Sequence, residues 1–262
     1  MESSPVSLLL KSLQLLLIGL LVSGCATVQG PRDEKDPFES LNRATYEFND
    51  SFDRHILKPV AEGYDKIMPN QVNNSISNLF SHLDDVLVIV NDILQLKFEQ
   101  TLSDIGRFTF NSTFGLFGLF DVASHMDLPK HKEDFGQTLG HWGVGPGPYL
   151  VLPLLGPSTM RDGPSLLVDW QMDPIAYIED TNTRWATIGL EVVDTRAGLL
   201  RASRILDTAA LDPYVFLRDA YLQQRNNLIY DGDPPHSELD DFDPFAEEEF
   251  DPLADEEPAP PE

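Results

Sequence analysis

Apolar residues recur along this chain with the period of a helix. Val72, Ile76, Leu79, Phe80, Leu83, Leu87, Val90 and Leu94 form one stripe, which predicts a long helix. Around "VLVIV", from Val86, that helix is apolar on every side, as expected of one that is central or faces lipid. Upstream, Phe38, Leu41, Tyr46, Phe48, Phe52 and Ile56 keep a mostly helical spacing. Asp36 is placed as an N-cap, Pro37 as the first helical residue and Glu39 as the carboxylate of a capping box, and the helix is expected to end before Pro59. "FTFNSTFGLFGLF", from Phe108, has five phenylalanines in 13 uncharged residues, which suits a membrane-facing helix. Gly115 and Gly118 would give it a small-residue face for close helix contact.

Three further segments read as helices. "DGPSLLVDWQMDPIAYI" is a helix and a break, "NTRWATIGLEVVDTRAGLLRASRILD" is one long amphipathic helix, and "LDPYVFLRDAYLQQRNNLIY" starts at an Asp212–Pro213 cap. Strand-like alternation is nearly absent, so the expected class is all-α in a single domain.

One stretch breaks the pattern. Phe135 to Met160 is 26 residues without Asp, Glu, Lys or Arg, long enough to cross a bilayer as a helix. Ten of the 26 are Gly or Pro, which cannot propagate one. "GHWGVGPG" lacks the Lys-Ser/Thr of a phosphate loop, and its prolines remove backbone donors, so nucleotide binding is rejected.

Charge and the N-terminus set the compartment. The chain has 262 residues and 25 net negative charges, which argues against nucleic acid as a partner. "SLQLLLIGLLVSGC" reads as a signal peptide over residues 1–24 ending in a lipobox, with Cys25 as the lipidated residue. Cys25 is the only cysteine, so an intrachain disulfide is excluded. Residues 25–35 form a lipidated linker, and Ala26 rather than Asp after the cysteine implies the outer membrane by the lipoprotein sorting rule. Residues 233–262 are an acidic, proline-rich tail expected to be disordered, with "FDPF" and "FDPL" as a repeated element. That tail is either a solvated extension or a docking strand.

No catalytic constellation emerges. The six histidines fall in no HExxH, and there is no GxSxG. His125 and His131 with Asp127, Glu133 and Asp134 match no standard metal spacing and read as a surface loop. The chain is expected to be no enzyme and to need no metal or cofactor. Arg196 and Arg201, in an arginine-bearing late region, are candidates for headgroup phosphate contact as well as for ordinary helix ion pairs.

Five blocks together resemble the MlaA (VacJ) family of outer-membrane lipoproteins: "DPFESLNRATYEFN", "RFTFNSTFGLFGLFDVA", "FGQTLGHWGVGPGPYLVLPLLGPSTMRD", "DTRAGLL" and "DPYVFLRDAY". They run in the family's order over residues 36–232. The resemblance implies a ring-shaped helical domain seated in the inner leaflet of the outer membrane, with an amphipathic central channel. It implies removal of mislocalised phospholipids from the outer leaflet, their transfer to a periplasmic lipid carrier (MlaC-like), association with a trimeric porin, and no catalysis. Carried over by position, Cys25 is the lipid anchor, Gly143, Gly145 and Gly147 are a hinge controlling the channel, and Phe48 and Asn49 lie in an N-terminal functional segment. Glu47 stands where the family has Asn, and Tyr149 and Arg161 lie in matched blocks without an assigned role. The rival reading is a structural lipoprotein that braces a porin or the envelope.

Overall fold

A computed structural model describes residues 35–235; Cys25, the signal segment and the tail from residue 236 lie outside the described residues. The order of elements is α1 (Glu39–Phe52), a π-helical turn (Asp53–Leu57), α2 (Lys58–Ile67), α3 (Asn70–Leu94), α4 (Phe98–Thr113), a 3-10 turn (Ala123–Met126), α5 (Phe135–His141), β1 (Tyr149–Leu152), β2 (Gly156–Thr159), α6 (Asp162–Met172), a 3-10 turn (Pro174–Tyr177), α7 (Thr181–Gly198), α8 (Leu200–Ala209) and α9 (Pro213–Ile229). Helices dominate, as expected. The one departure is the antiparallel hairpin β1–β2, inside the uncharged stretch, with Tyr149 opposite Thr159 and Leu152 opposite Gly156.

Several boundaries differ from expectation, each for a local reason. The first helix does not stop before Pro59. It runs on through the π turn, where the Lys58 amide bonds back to Asp53, and this wider turn accommodates a proline that an α-helix interior resists. Asp36 does not cap α1, whose N-cap position is Phe38 with no side-chain bond. Asp36 is instead buried, accepting from Asn42 Nδ2 at 2.8 Å and from the Tyr214 hydroxyl. The Phe-rich helix ends at Thr113, and Gly115 and Gly118 belong to the turn after it. A Cβ on Gly115 would lie 2.2 Å from the Phe120 carbonyl, and one on Gly118 2.5 Å from the His82 side chain. The long amphipathic helix breaks at Leu199 into α7 and α8. The Asp212–Pro213 start of α9 stands, with Asp212 accepting from the Tyr214 and Val215 amides.

The packing inverts the usual arrangement. Buried side chains are more often polar than apolar among the described residues, while Phe48, Phe114, Phe117, Leu167 and Trp185 are more than half exposed. The apolar cluster of Tyr149, Val151 and Tyr214 is small. The buried positions of α3 include Asp85, Asn91 and Asp92 beside Phe80, His82 and Val88, and those of α4 are Thr101, Asp104, Arg107 and Asn111. These groups are only partly satisfied: Asp85 Oδ2, Asp104 Oδ1 and Arg107 Nε are buried without a hydrogen-bond partner. Arg107 donates to Asp121 and Ser124, and Lys130 donates to Asp85 at 2.6 Å. So α3 lies where its apolar stripe predicts, but of that stripe only Phe80 is buried, and Val72 and Leu94 are exposed.

Asp92 and Asp104 meet in this seam with no exposure to solvent. Burial first, then the neighbouring carboxyl of Asp104, pushes the Asp92 pKa up. Asp92 therefore holds a proton that the unfolded chain releases. Stability falls as pH rises from the ordinary carboxylate range to the raised value of Asp92, and is level above it. Asp92→Asn keeps a donor toward Asp104 permanently. Its thermal midpoint is expected to exceed that of the wild type at about pH 9 and to lose this slope. A variant that melts below the wild type at both neutral and alkaline pH would refute a protonated Asp92.

Candidate functional site

The glycine loop follows from how α5 ends. Asp134 caps its start, accepting from the Gln137 amide at 2.9 Å. At its end the Val144 amide bonds to Leu139 O and the Gly143 amide to Gly140 O, both at 2.9 Å, with Gly143 at φ +86°. That is a Schellman cap, whose left-handed residue is normally glycine. Gly147 is also left-handed, at φ +64°, and an added Cβ would sit 3.1 Å from Met160 Cβ. Gly145 has neither constraint: its φ is not left-handed, and a Cβ there would meet nothing within 4 Å. Of the three hinge candidates, two are needed by the resting geometry and one is not.

Arg161 roots this loop. Its amide donates to Pro146 O and its Nη1 to Val144 O, both at 3.1 Å, while Nε is held by Asp162 at 2.7 Å. Nη2 is buried without a hydrogen-bond partner. Trp142 Nε1 ties the near end of the loop to Leu94 O at 3.0 Å. Between the loop and α9 lies a cavity of about 520 Å³, walled by Gly143, Gly145, Arg161, Leu222, Asn226 and Ile229. On its floor Arg225 binds both oxygens of Asp134 and one of Asp162. Against the opposing effect of burial, that arginine holds Asp134 below its usual range, and Arg161 first, then Arg225, does the same for Asp162.

The hairpin that follows is held by α1. Asn42 Nδ2 donates to Tyr149 O, and Asn42 Oδ1 accepts from the Val151 amide, each at 2.9 Å. Asn49 repeats this two turns later, donating to Leu152 O at 2.9 Å and accepting from the Leu154 amide at 2.8 Å. Two side-chain amides thus act as the neighbouring strand that β1 lacks on this edge. The hairpin turn carries Leu154 and Leu155 outward, 60% and 71% exposed.

The other sequence candidates separate here. Asn49 is part of the clamp, whereas Phe48 is 54% exposed, one of a run with Leu41, Ile56, Val60 and Ile67 along the outside of α1 and α2. Arg196 is engaged bidentately by Asp53, at 2.6 and 2.8 Å, which fastens α7 to the π turn and occupies the face a phosphate would need. Arg201 stands exposed on α8. Glu133, placed in a surface loop by sequence, is buried and accepts from Gln95 and Lys97, and His131 Nδ1 lies 2.8 Å from Asp104. Among the described residues no three His, Cys, Asp or Glu side chains gather in a metal-holding group.

Two residues of the site had no role assigned from sequence, Asn42 and Arg161; Arg225 belongs to the late arginine-bearing region, read as ion pairs or phosphate contacts, and it is an ion pair. The only signal for Asn42 was its seven-residue spacing from Asn49, two helical turns.

Residues 34–228 match the family described as MlaA lipoprotein. A protein of Rickettsia felis is 36% identical over 195 residues, covering 74% of this chain and 78% of its own length. The intermembrane phospholipid transport system lipoprotein MlaA of Escherichia coli K12 is 35% identical over 220 residues, covering 81% and 85%. A solved structure described as the structural basis for maintenance of bacterial outer membrane lipid asymmetry superposes with a TM-score of 0.66 at 33% identity, covering 76% of this chain and all of that one.

Proposed function

The chain belongs to the MlaA lipoprotein family, and on that premise we propose that it moves phospholipids between membranes of the envelope. It takes mislocalised phospholipids from the outer leaflet of the outer membrane and passes them to a periplasmic lipid carrier, beside a trimeric porin. Its relatives named as intermembrane phospholipid transport lipoproteins support this reading. Cys25 tethers it by its acyl chains, and the body sits in the inner leaflet as a ring around an amphipathic channel.

The observation that carries this is the inverted packing. A polar interior beneath outward-facing Phe48, Ile67, Phe114 and Phe117 suits a body immersed in lipid rather than in water. No helix among the described residues is long and apolar enough to cross a membrane. A shallow seat needs only short apolar faces, and non-helical backbone at that depth must line a wet cavity, as the glycine loop does. Of the two arginine candidates, Arg201, exposed on α8, is the one whose face a carboxylate does not occupy.

The loop is the gate. Gly145 supplies backbone freedom that the resting loop does not use, and the spare Nη2 of Arg161 offers a donor for a second loop position. Gly143→Pro is a poor probe, because it destroys the cap of α5. Gly145→Ala adds a Cβ that meets nothing within 4 Å while narrowing the backbone freedom, and is the better one. Surface-accessible phospholipid, read by labelling whole cells, is expected to change at least about two-fold, with protein abundance and porin co-purification unchanged. Unaltered lipid asymmetry with the porin still bound would favour the bracing lipoprotein instead.

A further inference from the structure

A second opening lies away from the glycine cavity, between α3, α6, α7 and the hairpin turn. It is a groove of about 370 Å³ with apolar walls, chiefly Phe80, Leu83, Leu87, Leu155, Leu166 and Trp170. Four carboxylates line it as well, from three helices: Asp84 on α3, Asp169 and Asp173 at the end of α6, and Glu191 on α7. No lysine or arginine is among its lining residues.

The chain itself balances this charge poorly. Lys130 Nζ reaches Asp84 at 3.2 Å from outside the groove. Asp169 accepts only from the Phe135 amide at 2.9 Å, and Asp173 from the Ile175 amide at 2.8 Å. Glu191 is half-buried, with no hydrogen bond or ion pair to any described residue. Burial, then the charges of Asp173, Asp84 and Asp194, pushes Glu191 up to about 7, and burial chiefly pushes Asp169 up to about 6. Half-buried acids without counterions are costly, and a cationic occupant would relieve that cost.

We propose that this groove receives a phospholipid whose headgroup carries an ammonium, of the ethanolamine class, with an acyl chain along the leucine walls and the ammonium among Asp169, Asp173 and Glu191. Charge complementarity selects that occupant. The walls ask for a chain, the rim asks for a cation, and a zwitterionic lipid brings both at once. An anionic headgroup of the glycerol class would bring only charge of the wrong sign. This deepens the transport reading and rests on it for the occupant being a phospholipid.

The test uses the full chain, purified in detergent and equilibrated at neutral pH with mixed micelles holding equal amounts of phosphatidylethanolamine and phosphatidylglycerol, with a chelator present. Bound lipid is identified by mass spectrometry. The wild type is expected to carry the ethanolamine lipid enriched at least about three-fold. Asp173→Asn with Glu191→Gln should bring that ratio to about one without reducing total bound lipid, because only the ammonium contact is lost. Neutralising repelling acids should leave the thermal midpoint equal or higher, and Glu191→Gln alone serves if the double variant folds poorly. Bound lipid with no headgroup preference, or a preference the variants keep, overturns the inference and leaves the transport reading standing. Enrichment that needs a divalent cation and vanishes with the chelator also overturns it, since the metal and not the ammonium would then fill the acids. No bound phospholipid at all sinks both readings together.

Discussion

Arg225→Met is expected to cost about 3–5 kcal/mol and to lower the thermal midpoint of the purified protein by roughly 6–20 °C. The reason is not the value of the ion pair itself but what its removal leaves behind. Arg225 is 88% buried at its side chain, and it binds both oxygens of Asp134 and one oxygen of Asp162, whose side chain is 7% exposed. Gly136 is where the backbone lets this group close. A Cβ there would lie 2.5 Å from Asp162 Oδ1 and 2.8 Å from Arg225 Nη2. Methionine fills much of the space but leaves Asp134 with only the Gln137 contacts and Asp162 leaning on Arg161 alone among cations.

The same substitution changes the acid limb. Arg225 helps hold the carboxyls of Asp134 and Asp162 below their ordinary range in the folded state. A depressed carboxylate contributes stability that is present above its unfolded pKa and is lost as pH falls through the folded one. The wild type should therefore keep its midpoint well into the acid range, and Arg225→Met should begin to lose stability at higher pH. Denaturation followed at a series of pH values separates the two. Parallel pH profiles for variant and wild type would mean that Arg225 acts through packing and not through these acids.

The sequence announced the helices far better than it announced what they bury. The stripe from Val72 to Leu94 located α3 closely, because periodicity reports local geometry whichever way the face turns. It could not say that the interior side would be Asp85, Asn91 and Asp92, because the rule that apolar faces point inward assumes water outside. The uncharged stretch was read correctly as unable to form one helix, yet its "YLVL" hides a strand behind four apolar residues in a row. A hairpin strand with no alternation is illegible unless its partners are known, and one partner here is a helix carrying asparagines. The glycine-rich loop was legible as a special place, but composition could not divide Gly143, which caps a helix, from Gly145, which does not. The partners of Arg161 and Arg225 were not legible, because long-range ion pairs leave no mark in local spacing.

Asn42 and Asn49 give the second large effect, and the two should differ in kind. Seven residues of α-helix rise ~10.5 Å, and three residues of strand advance ~10 Å, which is why amides two turns apart on α1 meet equivalent points along β1. Asn42 is 1% exposed and also donates to buried Asp36. Asn42→Ala would strand Tyr149 O and the Val151 amide inside the protein, at an expected cost of about 3 kcal/mol, roughly 6–12 °C in thermal midpoint. Asn49 sits nearer solvent, beside exposed Leu154, so water can replace part of what it provides. Asn49→Ala should cost only about 1 kcal/mol yet free the hairpin turn, seen as faster hydrogen exchange at the Leu154 amide. That turn joins the acidic groove to the glycine cavity, since Leu155 lines the groove and the strand behind it begins where the glycine loop ends. Asn49→Ala should therefore disturb lipid asymmetry at nearly normal protein abundance, while Asn42→Ala should deplete the protein itself. Asn42→Asp decides whether the amide is the agent. It keeps the acceptor for Val151 but puts a carboxylate against Asp36 and Tyr149 O, so a midpoint equal to the wild type would remove the clamp as the explanation.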